Sequence, residues 1–406
     1  MERADVIILG GGLVGLTLAI ALDAHGLSSI VIDVANPETQ IAPGFDGRAS
    51  AVASASWKML EAIGVGARLE GQGCPIREIR VSDGLSKGTL NFAPDPAEGP
   101  LGIMFENRAL RLALRETALA AQNITLVMPA RAADVQRDEH GVTVTLEDGR
   151  IFTGSLLIAA EGRKSPTRAA AGINIAHWTY DHVAIISALA HDVPHGNVAY
   201  EIFYPAGPFA LLPMLPGADG SPRSAIVWTV KASDAPAMLA LSDRAFLAEA
   251  DKRMGGMLGA LRAAAPRSSY PLGFQHTAKI TAQRLALVGD SAHGIHPIAG
   301  QGLNLGFRDV GALAEVLIDG VRIGLDPGDP QLLARYERWR SLDSLMVAAS
   351  TDGLTRLFGV PGKTALAIRR FGLGAVQRIP ALKARFMDEA RGESGALPKL
   401  LQGLTV

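Results

Sequence analysis

A chain of 406 residues, 48% of them hydrophobic, can bury a sizeable core, and at roughly 100–200 residues per domain it has room for two or three domains. With 39 basic against 40 acidic side chains the net charge is -1 at pH 7, which removes the electrostatic ground for nucleic-acid binding. The one cysteine, Cys74, excludes an internal disulfide, fits a reducing compartment, and reads as a small packed side chain.

Val6-Ile7-Ile8-Leu9 is a continuous apolar run, the pattern of a buried parallel strand. The uncharged stretch from Val6 to Leu22 is neither a membrane span nor a secretory signal. It is short, holds Gly10, Gly11, Gly12 and Gly15, and is preceded by Glu2 and Asp5 as well as Arg3, so a cytoplasmic protein is expected. Leu13 to Leu22 suits a helix buried against a sheet and closed near Gly26, and Ser29 to Asp33 a second strand, giving one β-α-β unit. The leucines between Leu101 and Ala121 predict a helix, followed by a strand from Ile124 to Val127. Val142 to Leu146 alternates, Glu147-Asp148-Gly149-Arg150 signals a hairpin into Ile151-Phe152, and Leu156 to Ala160 is a further buried strand. From about Gly172 to Phe274 the segments are proline-bounded and β-rich, such as Phe209 to Leu215 and Ala225 to Val230, which predicts a second, mostly antiparallel sheet. After Leu285-Ala286-Leu287-Val288 the strand, glycine turn and long helix return, so the first domain is discontinuous. Beyond Pro330 the chain reads as helical, with Arg369, Arg370, Arg378, Lys383 and Arg385 among apolar residues.

Gly10-x-Gly12-x-x-Gly15 lies between a predicted strand and a predicted helix, the context that makes this motif informative. The first glycine permits the turn, the second lets backbone approach a pyrophosphate, and the third lets helix pack on strand. The helix start offers free N–H groups to phosphate. Asp33, eighteen residues after Gly15, stands where an acid accepts hydrogen bonds from an adenosine ribose. The loop alone leaves NAD and FAD both open.

The segment from Arg284 to Asp309 narrows that choice. Gly289-Asp290 directly follows a buried strand, which places a carboxylate where it can accept hydrogen bonds from ribityl hydroxyls. Gly300 and Gly302 then open a long helix, Leu303 to about Asp319, whose N-terminus can stabilise the anion formed when a flavin is reduced. His293 and His296 are three residues apart, but Gly294 and Pro297 interrupt a shared helical face and no third ligand stands at metal spacing. No metal is expected, and a structural or flavin-adjacent role fits them better. Neither a Gly-x-Ser-x-Gly elbow nor a phosphate-binding P-loop is present.

This segment resembles the second FAD motif of the group A flavoprotein monooxygenases, and its wording is similar to that of the ubiquinone-biosynthesis hydroxylases (2-polyprenylphenol-type hydroxylases) among them. Asp46-Gly47-Arg48-Ala49-Ser50-Ala51 resembles that family's arginine loop, and Glu106-Asn107 with Leu110 and Leu114 its FAD-contacting helix start. Gly207-Pro208-Phe209-Ala210-Leu211-Leu212-Pro213 resembles its substrate-sheet strand, and Thr351 to Phe358 and Pro380 to Lys383 resemble helices of the ubiquinone branch. The family's middle motif reads Gly-Ala-Asp-Gly with Ser and Arg following. Here it is Ala159-Ala160-Glu161-Gly162 with Ser165 and Arg168, so the acid is one methylene longer.

The resemblance implies an α/β fold, a Rossmann-like FAD-binding domain of the para-hydroxybenzoate hydroxylase type with a second, mostly antiparallel β-sheet substrate domain and a helical C-terminus. On this chain the FAD-binding domain would comprise residues 1–75, 100–172 and 275–330, the substrate domain 76–99 and 173–274, and the helical region 331–406. It also implies an FAD-binding set of Gly10, Gly12, Leu13, Val14, Gly15, Asp33, Arg48, Asn107, Arg111, Glu161, Gly162, Gly289, Asp290, Pro297, Gly300, Gly302, Leu303 and Asn304. Pro297, Gly300, Gln301 and Gly302 would form the environment of the flavin's reacting edge, and no base is identified. NAD(P)H would act as a transient co-substrate, and O2 would reach the substrate through a C4a-hydroperoxyflavin. The implied substrate is a hydrophobic, polyprenylated phenol on the route to ubiquinone. The basic apolar C-terminus is compatible with peripheral contact at the inner membrane or with partners in a biosynthetic complex. Two other readings stay open: hydroxylation of a small soluble aromatic, and a non-catalytic flavin-binding component.

Overall fold

The computed structural model describes residues 2–42, 44–45, 47–85, 89–294, 301–341 and 376–406. Its first sheet follows from segments that are apolar on both faces. Val6, Ile7 and Ile8 are fully buried, as are Leu156, Leu157 and Ile158, and such runs need cover on both sides. Glu2–Leu9 pairs in parallel with Ile151–Ala159 on one side and Ser29–Ile32 on the other. The sheet continues to Ile124–Val127 at one edge and to Leu285–Leu287 and Thr281–Ala282 at the other. The helix Leu13–Asp23 connects the first two parallel strands and buries every residue from Gly15 to Leu22. Each large apolar side chain buried in this way contributes about 1.5–3 kcal/mol.

Two sequence expectations need correction. The helix expected from Leu101 begins at Asn107 and runs to Ala120. Gly102–Glu106 before it is a strand, because Ile103, Met104 and Phe105 pair with both Ala49–Ala53 and Gly73–Ile76. The separate segments expected at Ile151-Phe152 and Leu156 to Ala160 are one strand, Ile151–Ala159. Gly154 lets it pass the carbonyl of Ala4 and the side chain of Ile7 without interrupting the pairing.

The second sheet has the strand order Thr89–Phe92, Glu78–Asp83, Val198–Tyr204, Gly207–Met214, Arg223–Lys231, Ile175–His191, Ser268–Thr277, His293–Gly294. All neighbours are antiparallel except Glu78–Asp83 and Val198–Tyr204. One face, carrying Ile185, Phe209, Leu211, Ile226 and Trp228, is sealed by Phe246, Ala250 and Met254 of the helix Asp243–Met254. The other face turns to the first domain, where Ala188, Leu212, Met214 and Ala225 pack with Cys74, Met104, Ala49 and Ala51. Cys74 is a buried packed side chain as expected, and burial pushes its thiol up to about 11. His293 and Gly294, from the end of the second flavin-type motif, form the last strand of this sheet, which hydrogen-bonds the motif to the substrate side.

The helix Gln301–Arg322 packs on Leu13–Asp23, with Gly306 against Val14. Later in the chain, residues 330–341 are helical, Pro380–Arg391 is a helix, and Leu400 and Leu401 return to the first core. Among the described residues no helix is long and apolar enough to cross a membrane.

Candidate active site

The glycine loop is built by contacts that only a missing Cβ permits. Gly10 has φ +109, and a Cβ there would strike the carbonyl of Ala160; one on Gly15 would strike the carbonyl of Gly10. Gly12 is different. It is the N-cap of Leu13–Asp23, and a Cβ added to it meets no atom within 4 Å. The helix start, with its unpaired N–H groups, therefore faces a space that backbone can approach. Asp33 fixes this loop: one carboxylate oxygen accepts from Gly11 N at 2.6 Å and the other from Ala35 N at 2.7 Å. Each oxygen keeps a further acceptor site for a hydroxyl.

The strand Ala49–Ala53 gathers three distant parts of the chain. Asn107 lies at the start of its helix, takes a hydrogen bond on its side chain from Ser50 Oγ at 2.7 Å, and donates its backbone N–H to the carbonyl of Arg48 at 3.0 Å. Arg111, one turn later, reaches the carbonyl of Gln40 at 3.4 Å. From the other side Asn304 accepts from Ala53 N at 2.8 Å and donates to the carbonyl of Ala51 at 2.9 Å. The side chain of Asn304 is thus buried and occupied in holding this strand to the start of Gln301–Arg322. Arg48 itself is exposed.

Around Gly289-Asp290 the chain makes a short 3-10 turn, Gly289–Ser291, with Gly289 at φ +59 beside Val14. Gly289 N donates to Asp309 Oδ2 at 2.8 Å, and Asp309 is fully buried. His293 Nε2 approaches the same oxygen to 2.7 Å, close enough for an ion pair but not aligned as a hydrogen bond. Arg340 Nε donates to Asp309 Oδ1 at 2.7 Å. Burial would raise the Asp309 carboxyl, but the charges of His293 and Arg340 and the hydrogen bonds outweigh it and hold it below the usual carboxylate range. His276, paired with His293 across the strands, is also held below its usual value, first by burial and then by the charge of His293. Tyr336, buried beside them, donates to the carbonyl of Leu287 at 2.8 Å. Asp290 points outward and meets Arg163 Nε at 3.3 Å.

Glu161 turns to its own segment. Its Oε2 accepts from Ser165 Oγ at 2.6 Å and Thr167 N at 3.3 Å, so the extra methylene lets it reach the start of the short helix Pro166–Ala170. Gly162 N donates to Ser291 Oγ at 3.0 Å, and the buried Arg168 donates to the carbonyls of Ser291 and Arg163. The middle motif and the second motif are therefore one hydrogen-bonded unit. Among the described residues a Cβ on Gly302, as on Gly12, would meet nothing within 4 Å, and Leu303 packs on the first core.

Asp46, His296, Pro297, Gly300 and Thr351 to Phe358 lie outside the described residues. So does the side chain of Gln301, although its backbone begins the helix. The sequence reading gave no role to Asp309, Arg340, Ser291 or Arg163. An aspartate directly before the apolar run Val310 to Ala314 of a long helix was the available signal for Asp309; Arg340 carried none, since its partner is far away in sequence. Among the described residues no cluster of His, Cys, Asp and Glu could hold a metal ion.

The family described as FAD binding domain matches residues 3–348. The ubiquinone hydroxylase UbiL of Rhodospirillum rubrum is 46% identical over 404 residues, which cover 99% of this chain and 93% of that protein. The 3-demethoxyubiquinol 3-hydroxylase of Escherichia coli is 30% identical across 96% of this chain and 99% of that protein. PqsL, a probable FAD-dependent monooxygenase from Pseudomonas aeruginosa, has the same fold, with a TM-score of 0.77 and 21% identity across 92% of this chain and 100% of that one. Open space among the described residues at Gly12 and Gly302, two helix starts and carboxylates at Asp33 and Asp290 fit a dinucleotide flavin. The chain belongs to the FAD-binding family that its residues 3–348 match, and it is an FAD-dependent monooxygenase.

Proposed function

We propose that this protein hydroxylates the aromatic ring of a polyprenylated phenol in ubiquinone biosynthesis, with FAD as cofactor and NAD(P)H and O2 as co-substrates. The observation that carries the reading is end-to-end similarity to proteins named as ubiquinone hydroxylases, at 46% identity over 99% of this chain for one of them. Gly10, Gly12 and Gly15 with Leu13 and Val14 would hold the pyrophosphate at the helix start, and Asp33 the adenosine ribose. Asp290 would hold the ribityl chain, with Arg163 beside it. Arg48, Asn107 and Arg111 would border the cofactor from the Ala49–Ala53 side. When bound, FAD supplies the oxygen-activating chemistry; the protein orients the substrate and excludes water. The start of Gln301–Arg322 would favour negative charge on the reduced ring. Glu161, Gly162 and Asn304 support this reading as parts of the frame, since their described hydrogen bonds join the motifs to one another.

The test is genetic. In strains blocked at each quinone-ring hydroxylation, expression of this chain restores ubiquinone in one of them, and the intermediate that disappears identifies the carbon attacked. Rescue of none, with turnover of small phenols by the purified enzyme, would favour a soluble aromatic substrate. Absence of substrate-stimulated NAD(P)H oxidation would leave a flavin-binding component.

A prenylated substrate resides in a bilayer, and the same reading brings the protein to its surface. Ile379 and Phe386 are 49% and 41% exposed beside Arg378, Lys383 and Arg385 around the helix Pro380–Arg391. Sedimentation with anionic liposomes at low salt, lost on charge reversal of Arg378 and Arg385, is the expected outcome. No liposome association at low salt would remove the membrane part of the proposal.

A further inference from the structure

On the sheet face that turns to the FAD-binding domain, the strand register aligns a row of side chains: Val81, Glu201, Ala210, Val227 and Ile186. Glu201, Val227 and Ile186 are half-buried, as is Leu212 on the neighbouring row. On the opposite face of the same strands Ile185, Phe209, Leu211 and Ile226 are sealed at 2% exposure or less. Partial opening in the middle of a sheet, on the side where Ala51 and Met104 approach, marks the space between the two domains. Asn304 pins that same Ala49–Ala53 strand to the start of Gln301–Arg322, so the space adjoins the flavin motif. Along this apolar row Glu201 is the one charged side chain.

We propose that Glu201 is the base that removes the proton from the phenol hydroxyl of the substrate. This deepens the phenol-hydroxylase reading and rests on it. The phenol O–H bond breaks, its proton passes to a carboxylate oxygen of Glu201, and the electron pair stays on the phenol oxygen. That pair is delocalised into the ring and makes its ortho and para carbons more nucleophilic. Glu201 is restored when it returns the proton to the oxygen of the product. Nothing outside the substrate and this side chain is consumed.

The surroundings suit the task. Burial raises the Glu201 carboxyl to about 7 and no charged neighbour contributes, which matches a base working near neutral pH. The other titratable side chains in register on this face are Asp83 and Tyr270 in the next row, His182 and Lys231 one row beyond them, and Arg223 two rows away on the other side, where it donates to Glu106 at 2.9 Å. Burial raises Tyr270, partly offset by the charge of Arg163, so Tyr270 stays protonated and does not serve as the base.

The test compares the FAD-loaded wild type with E201Q and E201D. Difference spectra with 4-nitrophenol report whether the bound probe is phenol or phenolate. At pH 6.5 the wild type is expected to show a phenolate band that drops at least fivefold in E201Q while the probe still binds. With the substrate identified by strain rescue, kcat falls about 100-fold in E201Q, and the acidic limb of the kcat/KM profile disappears. E201D, which keeps a carboxylate, retains that limb. If E201Q fails to retain FAD, E201D alone decides: a lowered kcat with the acidic limb present supports the assignment. An unchanged phenolate fraction and unchanged kcat in E201Q, or in E201D where only it folds, overturn it. Strain rescue by E201Q as efficient as by wild type ends the base assignment and leaves the hydroxylase reading intact. Failure of the wild type to rescue any strain and to turn over any phenol ends both.

Discussion

Asp309 is the residue on which the second motif rests. Its two oxygens take Gly289 N, Arg340 and the close approach of His293, with all three side chains buried. Removing one partner from a buried ion pair leaves the other charge without compensation, which costs about 3–5 kcal/mol. D309A should therefore lose that much stability in urea unfolding and should also bind FAD more weakly, because the Gly289 turn loses its anchor. A loss below about 1 kcal/mol would show that the network is not what holds the turn. The acid side of the pH profile carries the same sign. With its folded-state pKa depressed, Asp309 contributes stability that is present above the ordinary carboxylate range and is lost as pH falls through the lower folded value. Glu201 runs opposite. Its folded pKa of about 7 stands above the ordinary glutamate value of 4.5, so its protonated form favours folding below that lower value, and the advantage disappears as pH rises through 7. E201Q should flatten this slope and be the more stable of the two proteins above pH 8. Parallel pH-stability curves for the two proteins would contradict it.

At the scale of elements, the glycine loop separates packing from binding. Gly15 and Gly10 are fixed by backbone that a Cβ would strike, whereas Gly12 faces open space. G15A should cost about 1–3 kcal/mol in the FAD-free protein, since the helix Leu13–Asp23 must move off the strand. G12A should leave the FAD-free protein as stable as wild type and weaken FAD at least tenfold. Thermal unfolding of apo-protein together with FAD titration distinguishes them, and equal losses of stability would refute the division. Gly10 to Gly15 and the first parallel strands were legible in sequence because their physics is local: an apolar run, then glycines, then a helix. Gly102–Glu106 was not. Its leucine-rich continuation imposes a helical period, while its own strand state depends on Ala49–Ala53 and Gly73–Ile76, which are far away in sequence. The Asn304 contacts to Ala51 and Ala53 were hidden for the same reason. Glu201 was unreadable as an acid of interest, since its environment is set by register with Val81 and Ala210.

For the whole molecule, these contacts mean that the flavin motifs and the substrate sheet are not independent parts. Gly162 is bonded to Ser291, Ser291 to Arg168, Asn304 to the Ala49–Ala53 strand, and His293–Gly294 is itself a strand of the substrate sheet. A ligand held at Gly12, Asp33, Asp290 and Gly302 therefore touches segments that meet both sheets. FAD binds the folded state alone, so at free FAD 100-fold above Kd it should add about 2.7 kcal/mol to unfolding. Because the motifs are shared between the sheets, that gain should spread beyond the nucleotide-binding sheet. Removing FAD should lower amide-exchange protection in Ser268–Thr277 and Ile175–His191 as well as in Glu2–Leu9, by comparable amounts. Protection lost from Glu2–Leu9 and Ser29–Ile32 alone would show that the substrate sheet folds without reference to the flavin, and that the His293–Gly294 strand does not transmit its binding.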